Sequence, residues 1–331
     1  MNVLIFNFKK SIISILCLVF IISLLLFSNS NIEAARNGLK LWAYSVIPSL
    51  FPFFIATELL YCTNLIPFLE KRCSKFMKTI FNLSGEATFP IIMGFISGYP
   101  TGAKIINELR IDKKISKTEG EHLLTFTNNS GPLFIIGTVG TSIFCNRKIG
   151  LLLLITHILG ALSVGFIFKF WKPNRKSLFI KNKSYAPKPI ISTIFVNSVS
   201  KSVITILNIG GFIVLFSVII SILENLGIFN ILSNFLSNFG LSSKTSIGLF
   251  SGLLELTNGL KNLSIIGIKN INEIIILSSF LLGFGGLSVA MQVYSCITNS
   301  DLSIKPYLIG KLLHGLLAAL YTIIFIKFQF I

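Results

Sequence analysis

The sequence predicts an all-α polytopic membrane protein with about seven to eight transmembrane helices and two re-entrant hairpins. Three observations predict it. The 331 residues are 53% hydrophobic with a mean hydropathy of +0.80, only 12% are charged, and apolar runs of bilayer length alternate with short basic loops. The net charge of +17 does not indicate nucleic acid. Its Lys and Arg residues collect in loops, as positive-inside topology requires, and not on an amphipathic face. Most of the five cysteines lie in or beside apolar runs, they lack metal-ligand spacing, and they read as packing residues.

Lys9 and Lys10 precede an apolar run at 11–27 within an N-terminal anchor, 1–30, that enters from the cytoplasm. A cleaved signal peptide has the same basic start and apolar centre, although no small-x-small site follows directly. Residues 38–61 form a second span, kinked at Pro48 and Pro52, with Trp42 and Tyr44 at the interface. Glu70, Lys71, Arg72, Lys75 and Lys78 then mark an amphipathic segment along the cytoplasmic surface.

Residues 83–109 place Gly94, Gly98, Pro100 and Gly102 inside an apolar run, between two basic clusters. Broken backbone at membrane depth needs protein or a wet cavity around it. Positive charge on both sides predicts a hairpin that enters and leaves by one face. Residues 122–144, interrupted at 128–132, and 150–171 cross. A basic cytoplasmic linker, 172–200, carrying Lys172, Arg175, Lys176, Lys181, Lys183 and Lys188, separates a first half, 38–171, from a second, 201–331. In the second half 203–223 crosses, 229–239 repeats the amphipathic segment, 246–266 is a second interrupted run, and 274–297 and 307–326 are further spans.

The halves match at one offset. Gly98 answers Gly252, Phe126 answers Phe280 and Gly131 answers Gly285, each displaced by 154 positions. With an odd number of crossings per half the two are inverted, and paired hairpins in inverted repeats are the arrangement of secondary transporters.

The strings Gly98-Tyr99-Pro100-Thr101-Gly102-Ala103-Lys104, Pro48-Ser49-Leu50-Phe51-Pro52-Phe53-Phe54 and Gly252-Leu253-Leu254-Glu255-Leu256-Thr257-Asn258-Gly259 resemble the YlbJ-type sporulation integral membrane proteins, within the nucleoside-recognition (Gate) group. The resemblance covers nearly the whole chain after the first span. It implies a fold like that of concentrative nucleoside transporters and a place in the outer forespore membrane. It also implies a role in the accumulation of dipicolinate, a small planar dianion, in the spore. Gly85-Glu86-Ala87 resembles the Gly-x-x-Glu-Ala element of those transporters without its two intervening residues.

A dianion calls for N–H groups, hydroxyls and a cation at the positive end of a broken helix. Ser97, Gly98, Tyr99, Thr101, Gly102 and Lys104 offer these, with Lys104 as counter-ion and Tyr99 for ring stacking. The packing alternative is that the glycines allow close helix approach while Lys104 snorkels to the interface. Glu86 and Glu255 are carboxylates in apolar runs, hence candidates for coupling to H+ or Na+, and Thr257 and Asn258 give Glu255 polar neighbours. Asn128, Asn129 and Gln292 present amides to the substrate or bond between helices. His157 and His314 read as packing residues. No cofactor, metal site or enzyme signature is expected: there is no His-Glu-x-x-His, no Gly-x-Ser-x-Gly and no paired Asp on adjacent spans. A transporter for a small anionic solute is the leading reading, and a non-transporting scaffold of the spore envelope is the alternative.

Overall fold

The computed structural model describes residues 2–63, 65–171, 191–238, 240–266 and 271–328, and among them every regular element is helical. The basic residues of the linker from Lys172 to Lys188 lie outside the described residues, whereas its last ten positions are already helix.

Helix α1 (Asn2–Leu26) passes through one turn residue, Phe27, into a 34-residue helix, Ser28–Tyr61. That helix consists of α2 (Ser28–Leu41), a π-helical stretch (Trp42–Val46) and α3 (Ile47–Tyr61). The expected loop before residue 38 is helical because Glu33, Ala34, Ala35 and Arg36 are good helix formers. Asn31 also donates from Nδ2 to Ser23 O at 3.1 Å and ties the turn. The π-helical stretch ends where Pro48 and Pro52 lack N–H groups. Trp42, expected at the bilayer interface, lies on Gly210 of α9 (Ile191–Asn225) and donates from Nε1 to Ile206 O at 2.9 Å.

The amphipathic segment is α4 (Leu65–Phe81), and the chain turns by 94° into α5 (Thr88–Ile96). α6 (Thr101–Ile111) and α7 (Lys117–Phe126) follow, the latter capped by Ser116 Oγ accepting from Glu119 N–H at 3.1 Å. A π-helical stretch (Phe134–Ile143) leads to α8 (Arg147–Phe168). After α9 come α10 (Ile228–Ser237), α11 (Ser243–Leu254), α12 (Leu256–Ser264), α13 (Ile271–Phe284), α14 (Gly286–Ile297) and α15 (Lys305–Lys327).

Five helices of the described residues are long and apolar enough to cross a membrane, or six if the bent α4–α5 pair is one span. Seven to eight were expected. The difference lies in two runs: in 11–27 the described apolar part is short, and 122–144 is divided into α7 and a ten-residue π-helical stretch.

The interrupted runs fold back on themselves. In α11–α12 a Cβ on Gly259 would lie 2.1 Å from Gly252 Cα, and one on Gly248 would lie 3.2 Å from Leu263 N, so the two helices form an antiparallel hairpin. In α5–α6 both Gly94 and Gly102 face the carbonyl of Thr127, at 1.9 and 2.6 Å from an added Cβ. Breaks also pair with breaks. Gly98 (φ +84°) abuts Gly131, and Gly286 (φ +82°) abuts Gly252 and Leu254, so the pairing recurs in both halves. Phe126 packs on Gly165 of α8, and Phe280 packs on Gly315 of α15.

A staple joins the halves. Arg110 donates from Nε and Nη2 to the two carboxylate oxygens of Asp301, at 2.9 and 3.1 Å. Ser303 N–H donates to Glu121 at 3.3 Å beside it. Hydrogen bonding from Arg110 holds the Asp301 carboxyl below its ordinary value. This contribution is present above the ordinary aspartate range and is lost as acid protonates the folded carboxyl.

The glycine contacts give a prediction. Gly259→Val should cost at least about 1–3 kcal/mol through overpacking, whereas Gly211→Ala, which meets nothing within 4 Å, should be neutral or gain up to about 1 kcal/mol. Thermal unfolding of the purified variants in detergent checks both.

Candidate functional site

The two hairpin tips line one internal cavity of about 30 Å³, room for about one water. Gly98 and Tyr99 come from the α5–α6 tip, Glu255 and Thr257 from the α11–α12 tip, and Ser130 and Gly131 from the break after α7. Gln292 and Val289 of α14 face them. Apolar walls are added by Val46 and Leu50 on one side and by Ile209 and Ile213 of α9 on the other.

Polar groups here are under-used. Ser130 Oγ donates to Tyr99 Oη at a long 3.4 Å, and Gln292 Nε2 reaches Ser288 Oγ at 3.4 Å. Gln292 Oε1 is buried and has no hydrogen-bond partner. Buried amides normally find partners, so this side chain keeps an acceptor for something in the cavity. Glu255 differs, because its carboxylate accepts from Asn258 N–H at 2.7 Å and caps α12. It therefore neutralises the positive end of α12.

The other predicted residues have protein partners or lie away from the cavity. Ser97 bonds with Thr57 of α3 at 2.8 Å. Asn128 Oδ1 accepts from Ala103 N–H at 2.7 Å and so caps α6 from across the break. Asn129 Nδ2 donates to Phe126 O at 2.8 Å, and Asn258 Nδ2 donates to Ser217 Oγ of α9 at 2.9 Å. Thr101 is buried at the start of α6, Gly102 is spent on the approach to Thr127, and Glu86 is half-buried in the turn before α5.

Lys104 is ion-paired with Glu58 of α3 and does not line the cavity. Lys201 of α9 adds a second cation 3.6 Å from the same carboxylate. The expected counter-ion is thus compensated by a residue that the sequence reading overlooked, although a carboxylate inside the apolar run 47–61 was a visible signal.

A second missed group is Lys311 of α15, which is 1% exposed. It donates from Nζ to Asn128 O at 3.0 Å and to His314 Nδ1 at 3.2 Å. His314 Nε2 donates to His157 O at 2.8 Å, and His157 Nε2 accepts from Ser130 N–H at 3.2 Å. Both histidines are therefore neutral in this arrangement, with their tautomers assigned from these bonds. The chain of contacts runs directly behind the cavity wall formed by Ser130.

Fold and site together define a polytopic integral membrane protein whose helix breaks converge on an internal cavity with apolar walls and a few polar groups. The chain belongs to the Gate family, described as nucleoside recognition, whose model matches residues 43–200 and 206–330. It is 36% identical over 320 residues to the sporulation integral membrane protein YlbJ of Bacillus subtilis, covering 90% of this chain and 78% of that one. It is also 26% identical over 212 residues to the uncharacterized membrane protein YvoD of the same organism, covering 62% and 65%. No solved structure matches.

The Glu58–Lys104 pair gives a second prediction. Glu58→Gln or Lys104→Met alone strands the other partner in a partly buried site, so each should lower the melting temperature. The double variant should recover part of the loss, and a thermal-melt double-mutant cycle reads the coupling.

Proposed function

We propose that this protein is a secondary transporter or facilitator for a small anionic or heterocyclic solute, with dipicolinate as the substrate, in the outer forespore membrane of an endospore-forming cell. The observation that carries this reading is the cavity lined jointly by two hairpin tips and by Gln292, whose Oε1 has no partner. Resemblance to sporulation membrane proteins supports the substrate and the location.

In this reading 38–171 and 201–331 are inverted repeats, and α5–α6 and α11–α12 are re-entrant hairpins from opposite faces. Tyr99 stacks on the pyridine ring, while Ser130, Thr257 and Gln292 hydrogen-bond the carboxylates. A cavity of about 30 Å³ is too small for a pyridine dicarboxylate. Loading therefore requires the paired breaks to separate, and alternating access consists of parting them first towards one face and then the other. Glu255 repels a dianion unless it is protonated or a cation enters with the substrate, which motivates coupling to H+ or Na+. No catalytic step belongs to this reading, and no nucleic acid partner.

Uptake of labelled dipicolinate into proteoliposomes carrying the purified protein tests it. Tyr99→Ala and Gln292→Ala should each lower uptake by about tenfold, the equivalent of one lost hydrogen bond or ring contact of roughly 1.4 kcal/mol, with melting temperatures little changed. Absence of protein-dependent uptake under every ion gradient would overturn transport and favour the envelope scaffold.

A further inference from the structure

Lys311 is buried as fully as any apolar core residue, and among the described residues no carboxylate pairs with it. A buried ammonium is costly without compensating negative charge. The compensation comes from main chain. α7 ends at Phe126, and the carbonyl of Asn128 just beyond it accepts from Lys311 Nζ at 3.0 Å. α13 ends at Phe284, and a Cβ on the next residue, Gly285, would lie 3.6 Å from Lys311 Cε.

The ammonium thus rests on a carbonyl just past the C-terminal end of α7, an end that carries about half a negative charge, while its stem passes the break after α13. His314 Nδ1 at 3.2 Å completes the set of acceptors. In transporters built from broken helices, such C-terminal ends and unwound carbonyls are where a coupling cation binds.

We propose that this is a cation site occupied by a tethered ammonium in place of a free sodium ion, and that Lys311 carries the coupling proton. The titratable groups facing it are His314 on α15 and His157 on α8, while Tyr307, one turn earlier on α15, lies near Tyr99 of the α5–α6 break. From the break after α7 the group that meets the ammonium is the Asn128 carbonyl. Glu255, the carboxylate in the cavity wall, is engaged by Asn258 N–H. When Nζ releases its proton to water on one side, the amine keeps its lone pair and the Asn128 carbonyl loses its counter-charge. The contact between Lys311 and the 127–132 break then weakens, and Ser130 in the cavity wall is freed to move. Reprotonation from the other side restores the closed arrangement. Because the cation is covalently held, the protein needs no sodium.

The coupling role rests on the transport reading, but occupancy of the cation site does not, and two experiments separate them. In the first, dipicolinate uptake into proteoliposomes is driven by a pH gradient or by a sodium gradient at equal ionic strength. Uptake should follow the pH gradient and change less than about twofold when choline replaces sodium. Lys311→Met and Lys311→Arg, the latter holding a charge that does not dissociate, should lose the gradient-driven component by about tenfold or more while retaining dipicolinate exchange. Sodium-driven uptake by the unaltered protein, or full pH stimulation in a folded Lys311→Arg variant, would overturn the coupling role.

The second experiment reads no transport. Melting temperature is compared in sodium chloride and choline chloride for the unaltered protein and for Lys311→Ala. The unaltered protein should show no sodium-specific shift, and Lys311→Ala should melt lower and regain stability with sodium. Sodium stabilisation of the unaltered protein, or a Lys311→Ala variant indifferent to sodium, would overturn the cation site. A protein that passes this test yet takes up no dipicolinate refutes the transport reading alone.

Discussion

A peptide group that loses its helical partner inside a bilayer has no water to turn to, and several kcal/mol are at stake for each one. The architecture follows from that constraint. Each interrupted helix brings its break to another: Gly98 to Gly131, and Gly286 to Gly252 and Leu254. Groups left over are met by side chains chosen for the task, with Glu255 on the first amides of α12, Asn128 Oδ1 on Ala103 N–H and Lys311 on Asn128 O. The glycines are what permit the approach, since a single added carbon at Gly94, Gly102 or Gly259 would overlap a neighbouring backbone atom.

The same economy shapes the site. A cavity placed where breaks converge inherits polar atoms from main chain as well as from side chains such as Glu255. Ser130 and Tyr99 share one long bond, and Gln292 reaches only Ser288, at 3.4 Å. Residues next to one another in sequence therefore have different duties: Asn128 holds α6, Asn129 bonds to the end of its own helix, and Ser130 faces the cavity.

Much of the fold was legible. Glycine and proline inside apolar runs marked the breaks, and the 154-residue offset mapped Gly131 onto Gly285, where α13 and α14 separate. Span lengths were less legible, because a run such as 122–144 is apolar enough to cross whether or not its backbone is continuous. In the site, chemical type was readable but pairing was not. Lys104 resembled a counter-ion until Glu58, 46 positions earlier, was brought against it by the packing of α3. Lys311 and His314 lie one turn apart in an apolar helix, a pattern that signals function. Only the fold shows that they stand behind Ser130, since the partners come from α7 and α8.

The Arg110–Asp301 staple carries a mechanical consequence. It lies at the last turn of α6 and at the loop before α15, with Leu302 against Gly120 and Ser303 on Glu121 beside it. Three neighbouring positions of one loop are thus fastened to the other half. Should the two sides move against one another, the fastened end would move least until the ion pair breaks, and the staple would serve as a fulcrum with the hairpin tips as the ends of its levers.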